Sequence, residues 1–274
     1  MIKFIAVIII ITLVLAYGIV ALTTNVFSAT TISCSDPRGC PDLIIDPNLL
    51  PQDGYTQTRE FAPEDCAVQE GLVPAGTRRL LPLDTAIINA GRGALHVGNL
   101  YLLSQTNPEL AYFDACHNHI HIRNFTAYRL WTLDQYDQWE RLKRGDKRSS
   151  EEILAAHPEL TPVVSYKQGW CPVDLQLYTR EQGKWTYANS SDPGWIDQQY
   201  GSALCDPDAF YDWDISGIGP RWGDIYGYPI PGQWLDVTDS PAGTYVVEEE
   251  VNPARVIEET NYRNNSVSTS VTIQ

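Results

Sequence analysis

Positive charge is scarce in this sequence. Its 274 residues hold 19 Lys and Arg against 34 Asp and Glu, a formal net charge of −15 at pH 7. That balance opposes binding to nucleic acid or to anionic membrane surfaces, and it suits a cationic partner such as an amine or a lysine-rich protein. No CxxC pair occurs, which argues against a cysteine-zinc ribbon. Internal repeats, low-complexity tracts and linkers are also missing, so one domain is the economical reading of the chain beyond its N-terminal segment. After residue 22 no apolar run is long enough to cross a bilayer.

Residues 4 to 22 are such a run, uncharged and placed behind Lys3. They read as an export segment of one of two kinds. One is a signal peptide cleaved after Ser28, with small residues at Val26 and Ser28; the other is an N-terminal anchor long enough for ~30 Å of hydrocarbon. Residues 1-28 are therefore assigned to a signal or anchor, the cleaved form being preferred, and 29-274 to a single exported domain. The domain is expected to be secreted or extracytoplasmic, touching a membrane only through residues 4-22 if these are retained. All six cysteines, Cys34, Cys40, Cys66, Cys116, Cys171 and Cys205, follow this segment. An even number in an oxidising compartment points to disulfides. The Cys34 to Cys40 loop, with Pro37 and Gly39 inside it, suits a local bridge.

The rest of the chain reads as short strands separated by Gly, Pro and Asp, the pattern of an antiparallel β-sandwich with long loops and one or two short helices. Pro41 to Ile45 is a first strand, and residues 46 to 79 are expected to be ordered loops tied down by Cys66. Leu80 to Ile88 reads as one strand and Ala94 to Val97 as the start of the next, with His96 a structural strand residue. Further strands are expected over Phe125 to Leu133, Val173 to Thr179, Trp234 to Val237, Thr244 to Val251 and Val267 to Ile273. Lys143, Arg144, Lys147 and Arg148 form a basic cluster read as a solvated turn. Ser149 to Glu152 has capping-box spacing for a short exposed helix ending near Pro158.

Three of the five histidines, His117, His119 and His121, occupy alternate positions in one stretch. In a strand such residues point to one face, so the three imidazoles converge. Three charged histidines side by side would repel, and three neutral ones would pack poorly. Convergent imidazoles do suit copper, zinc, iron or nickel, and three of them leave coordination positions open for chemistry.

Several separated stretches, in order, resemble the lysyl oxidases, including their prokaryotic relatives. They are Cys116 to His121; Tyr166-Lys167-Gln168-Gly169-Trp170-Cys171; Asp224-Ile225-Tyr226-Gly227 with Gln233 to Asp239; Val251-Asn252-Pro253; and Glu259 to Asn265. The resemblance runs from about Pro41 to the C-terminus. It implies an exported copper amine oxidase that converts primary amines, including peptidyl lysine, to aldehydes with dioxygen as oxidant, releasing hydrogen peroxide and ammonia. His117, His119 and His121 would hold copper, and Lys167 crosslinked to oxidised Tyr226 would form the lysine tyrosylquinone cofactor. Asp114 and Asp224 are candidates for the general base. The resemblance also implies a calcium site built from Asp42, the Leu43 carbonyl, Glu259, Asn261, Asn264 and Asn265, whose hard oxygens suit that ion.

The same resemblance suggests bridges Cys66 to Cys116 and Cys171 to Cys205, and it matches two cysteine pairs of animal members to Leu72 with Gly232 and to about Leu177 with Trp222. The insertion before Lys167 has no close counterpart in the family. Two other readings remain open at this point: a non-catalytic secreted metal-binding sandwich, and a zinc hydrolase using the three histidines.

Overall fold

A computed structural model describes residues 31–116, 119–167, 170–191, 196–200, 216–228 and 230–274, the side chains at 166 and 167 excepted. The export segment and its cleavage position lie outside these residues. The strands are β1 Leu43–Ile45, β2 Gln57–Phe61, β3 Gly76–Pro82, β4 Thr85–Asn89, β5 Leu95–Gly98, β6 Ala111–Asp114, β7 His119–Ile122 and β8 Thr126–Thr132. They continue as β9 Val163–Lys167, β10 Gln176–Glu181, β11 Lys184–Tyr187, β12 Ser216–Ile218, β13 Trp222–Tyr226, β14 Trp234–Asp236, β15 Gly243–Val251 and β16 Ser266–Ile273. Among the described residues four α-helices accompany them, more than the one or two expected: α1 Cys66–Gln69, α2 Leu100–Thr106, α3 Leu133–Lys143 and α4 Ser150–Ala156. The protein is mainly β, and every paired strand is antiparallel to its neighbour.

One sheet has the order β16-β15-β8-β9, a second β14-β3-β2, and a third β1-β4-β13-β10-β11. The first two pack face to face. Val247, Tyr128 and Leu130 of one sheet meet Leu81 and Leu235 of the other in a common apolar cluster. Side chains alternate along β8 and β15, so their other face carries Trp131 and Val246, which α3 and α4 cover through Trp139, Ile153 and nearby Leu160. Another core lies between β1, β4, β7, β10 and β13, where Leu43, Ile45, Ile87, Ile122, Leu177 and Trp222 are all buried with Trp170.

The helices on the first sheet are held by charge as well as by apolar contact. Arg129 is fully buried and reaches Glu250 at 2.5 Å, Glu151 at 3.2 Å and Glu248 at 3.4 Å. Glu248 also accepts hydrogen bonds from the indoles of Trp131 and Trp139, and Lys143 Nζ lies 2.6 Å away. Each buried carboxylate thus faces a cation or a hydrogen-bond donor, as desolvated charge requires.

Three sequence expectations need correction. Lys143 is not part of a solvated turn, because it ends α3 and pairs with Glu248, an acid more than a hundred positions away in the chain. Leu80 to Ile88 is two strands in different sheets: β3 pairs with β14 and β2, and β4 pairs with β13 and β1. Residues 46 to 79 contain β2, α1 and most of β3; β2 escapes notice because Phe61 alone among its residues is buried, leaving no alternation. The capping box at Ser149 is present as expected, and a second one, Thr132 with Gln135, starts α3.

Candidate metal centre

The histidine strand β7 pairs with β6 so that His119 faces Asp114 and His121 faces Tyr112 across the ladder. His119 and His121 project to the same side, and their Nε2 atoms stand 3.0 Å apart. His121 is fully buried. Its Nδ1 lies 3.3 Å from the Tyr112 hydroxyl and 3.6 Å from Asp114 Oδ2, the second a charge contact too long for a hydrogen bond. A proton on Nδ1 would face these oxygens, which would turn the Nε2 lone pair towards an ion.

Tyr112 itself is locked from the outside by the Arg123 guanidinium, 3.9 Å above its ring. Burial, and then the Asp114 carboxylate, push the Tyr112 phenol up to about 12, so it stays a neutral donor at ordinary pH. His117, the third histidine of the set, lies outside the described residues.

The two imidazoles fit a metal. Nitrogens ~2.0–2.1 Å from one ion at about a right angle would be separated by about 3 Å, the spacing seen. The strand leading into this pair is pinned by the Cys66–Cys116 bridge, and Asp114 Oδ1 accepts the Cys116 N–H at 2.8 Å.

Three elements meet at Trp170 and Cys171. The Ile122 N–H of the histidine strand donates to the Trp170 carbonyl at 3.3 Å. The Tyr226 ring packs 4.2 Å from the Trp170 ring, and its hydroxyl accepts the Cys171 N–H at 3.2 Å. Trp222, Asp224 and Tyr226 share one face of β13, which explains how a fully buried carboxylate comes to neighbour the phenol. Burial, with Asp224 adding to it, holds Tyr226 well above the usual phenol range.

Lys167 ends β9, opposite Thr126 of β8. Four residues of chain span at most ~14 Å, so its backbone lies within that reach of Cys171. Its side chain lies outside the description. The chain sequence did not single out Tyr112 or Trp170 for these roles; the only sign of Tyr112 is its alternation with Asp114 ahead of the histidines.

The second oxygen-rich cluster joins the first strand to the last turn. Leu43 N–H donates to Glu259 Oε2 at 2.7 Å, and Asn264 Nδ2 donates to Asp42 Oδ1 at 3.0 Å. Glu259 Oε1 accepts from Asn252 at 2.6 Å and from Asn265 at 2.8 Å. Burial pushes the Glu259 carboxyl up to about 7. The buried Oδ1 atoms of Asn264 and Asn265 have no hydrogen-bond partner among the described residues, which fits a hard cation seated among these oxygens. Asn261 instead closes a local turn, accepting the Arg263 N–H at 3.1 Å.

Two disulfides match expectation, Cys34–Cys40 and Cys66–Cys116. Cys171 is also bridged; Cys205, its expected partner, lies outside the described residues. Leu177 and Trp222, matched above to a cysteine pair of animal members, face each other across β10 and β13.

A family model described as lysyl oxidase matches residues 207–274. Lysyl oxidase homolog 4 of Homo sapiens is 25% identical over 244 residues, covering 85% of this chain and 25% of the relative. The chain is similar to the lysyl oxidases over most of its length. Lysyl oxidase homolog 2 of Gallus gallus gives 25% identity over 244 residues, with 85% of this chain and 24% of that protein covered. Lysyl oxidase homolog 2A of Danio rerio gives 26% over 250 residues, with shares of 86% and 26%. This chain thus spans about a quarter of the length of the curated lysyl oxidase homologues it matches.

Proposed function

We propose that this chain is an exported copper- and quinone-dependent amine oxidase acting on primary amines, including lysine side chains of proteins. The reading rests on one observation above the others: the histidine strand and the Tyr226 phenol both meet Trp170 and Cys171, which follow Lys167 by three and four residues. Kinship with the lysyl oxidases supports it.

In this reading His117, His119 and His121 bind copper, Tyr112 and Asp114 orient His121, and Lys167 and Tyr226 are joined. Copper and the resulting quinone supply the redox chemistry, a two-electron oxidation of the amine to an aldehyde, with dioxygen reduced to hydrogen peroxide and ammonia released. The chain's own residues do the rest. Trp170 packs against the Tyr226 ring and Cys171 N–H fixes its hydroxyl, which sets the phenol's orientation before any crosslink forms. Asp224, buried two residues before Tyr226 on the same face of β13, acts electrostatically on the phenol, while Asp114 faces His121 and holds the Cys116 N–H. The acidic surface favours cationic amines over neutral ones. The oxygen cluster at Asp42, Leu43, Glu259, Asn264 and Asn265 is assigned to calcium, fastening the first strand to the last turn; Asn261, engaged in its own turn, contributes only if that turn opens. A secreted location follows from the export segment, with residues 1-28 removed or kept as an anchor and 29-274 forming the catalytic domain. Among the described residues no helix is long and apolar enough to cross a membrane.

Peptide mapping by mass spectrometry of copper-loaded, aerobic protein tests the proposal. A crosslinked peptide containing Lys167 and Tyr226 is expected. Recovery of both residues only in linear peptides rejects it and leaves the non-catalytic or zinc-hydrolase readings. Peroxide release over a panel of amines should vanish in Tyr226→Phe.

A further inference from the structure

A buried acid lies outside the centre described above. Glu249 sits on β15 between Glu248 and Glu250, but it points away from Arg129 and Lys143, into the face shared with Tyr128 and Val247. It is fully buried. Thr85 Oγ1 lies 3.0 Å from Glu249 Oε2 and 3.0 Å from the Tyr128 hydroxyl. Tyr128 lies 2.7 Å from Gln233 Oε1, and Gln233 Nε2 lies 3.3 Å from the carbonyl oxygen of Tyr226.

The protons in this chain can be counted. A carbonyl only accepts, so Gln233 turns its NH2 towards Tyr226 and its Oε1 towards Tyr128. Tyr128 then spends its single hydroxyl proton on Gln233, and Thr85 must donate to Tyr128. Thr85 has no second proton, so its contact with Glu249 is a hydrogen bond only if Glu249 carries one. An ionised Glu249 would claim the Thr85 proton and leave Thr85 and Tyr128 with lone pairs facing each other at 3.0 Å.

We propose that Glu249 is a positioning residue: a neutral carboxylic acid whose proton heads a one-way series of hydrogen bonds, through Thr85, Tyr128 and Gln233, that clamps the main chain at Tyr226. The surroundings agree. The groups facing Glu249 are Asp84 from the β3–β4 loop, the neutral phenol of Tyr128 from β8 and Val267 from β16, and no cation contributes to its environment among the described residues. Burial, with Asp84 adding to it, pushes the Glu249 carboxyl up to about 8. Its Oε1 has no partner among the described residues, a loss that is smaller for a neutral acid than for a carboxylate. The clamp itself stands without the oxidase reading; only its effect on cofactor formation rests on that reading.

Infrared spectroscopy of metal-free protein at pH 7, in water and in heavy water, reads the proton directly. A protonated-carboxyl band that shifts in heavy water and is missing from Glu249→Gln is expected, while the band from Glu259 persists in both. No difference between wild type and Glu249→Gln at this pH would overturn the inference. In wild type the band should titrate away near pH 8, which needs no variant to fold. Quinone formation in copper-loaded protein gives a second readout. Its rate should fall about tenfold in wild type between pH 7 and pH 9, and less than about twofold in Glu249→Gln, where a neutral amide donates in place of the acid. Parallel profiles in the two proteins would overturn the positioning role. Absence of quinone in wild type would count against the oxidase reading alone, and the infrared result would then decide the clamp.

Discussion

Breaking the Cys66–Cys116 bridge should cost this protein far more than breaking Cys34–Cys40. The first closes a loop with a sequence separation of 50, the second one of 6. If a bridge acts by restricting the unfolded chain, closure entropy gives about 4 kcal/mol for the longer loop and about 2 kcal/mol for the shorter. The geometry adds a local consequence. Cys116 immediately precedes the histidine stretch and its N–H is held by Asp114, which also faces His121, so freeing Cys116 loosens the approach to the metal as well as the fold. Urea denaturation of Cys66→Ala/Cys116→Ala and of Cys34→Ala/Cys40→Ala, each against wild type, measures the first effect; copper titration of the folded proteins measures the second. The first pair of substitutions should lower stability by roughly twice as much as the other, and it alone should weaken copper binding. Equal losses, or an order reversed, would show that native-state packing around the bridges outweighs the unfolded chain, and unchanged copper affinity would separate the bridge from the histidines.

Arg129→Met should cost about 3–5 kcal/mol in urea denaturation, because Glu248 and Glu250 would remain buried with Lys143 as the main cation left to them. A loss under about 1 kcal/mol would mean that the helices α3 and α4 are held by apolar contact alone. Stability should also fall as pH rises: Glu249 titrates near 8 when folded against 4.5 for the free group, so the folded state holds the extra proton throughout that window. The favourable contribution is complete below pH ~4.5 and is lost by pH ~8, up to about 5 kcal/mol, and denaturation of Glu249→Gln over the same range should show a flatter profile. Calcium should raise the melting temperature, with about 2.7 kcal/mol of stabilisation at a hundredfold excess over its dissociation constant, and Asn265→Leu should abolish the response.

The histidine triplet was legible because a period of two is a strand signal and imidazole is a ligand type; the face shared by His119 and His121 follows from that alone. Tyr226 and Lys167 drew notice only through resemblance, since nothing in a lone tyrosine or lysine predicts what its ring or amine will touch. β16, with one buried face, and β15, buried on both faces from Val246 onward, were read within a residue or so of their ends. The split of Leu80 to Ile88 was hidden because both halves are largely buried and apolar, and only the two residues Leu83 and Asp84 stand between strands with different sheet partners. Lys143 looked solvated for a related reason: its partner Glu248 lies on a strand remote in the chain, and pairing over such a distance leaves no local pattern. The hydrogen bonds among Glu249, Thr85, Tyr128 and Gln233 were equally silent, since they join four separate segments.

The three consecutive acids of β15 also act as a key for strand alignment. Two of them belong in the niche with Arg129 and Lys143, and the middle one belongs on the opposite side with Thr85. A slip of one residue against β8 would turn two carboxylates into a chamber fitted for a single neutral acid, and would leave the guanidinium one counter-charge from β15 where that strand now gives it two. Misaligned chains are thereby penalised on both sides of the same ribbon, before any metal or cofactor is present to select among them.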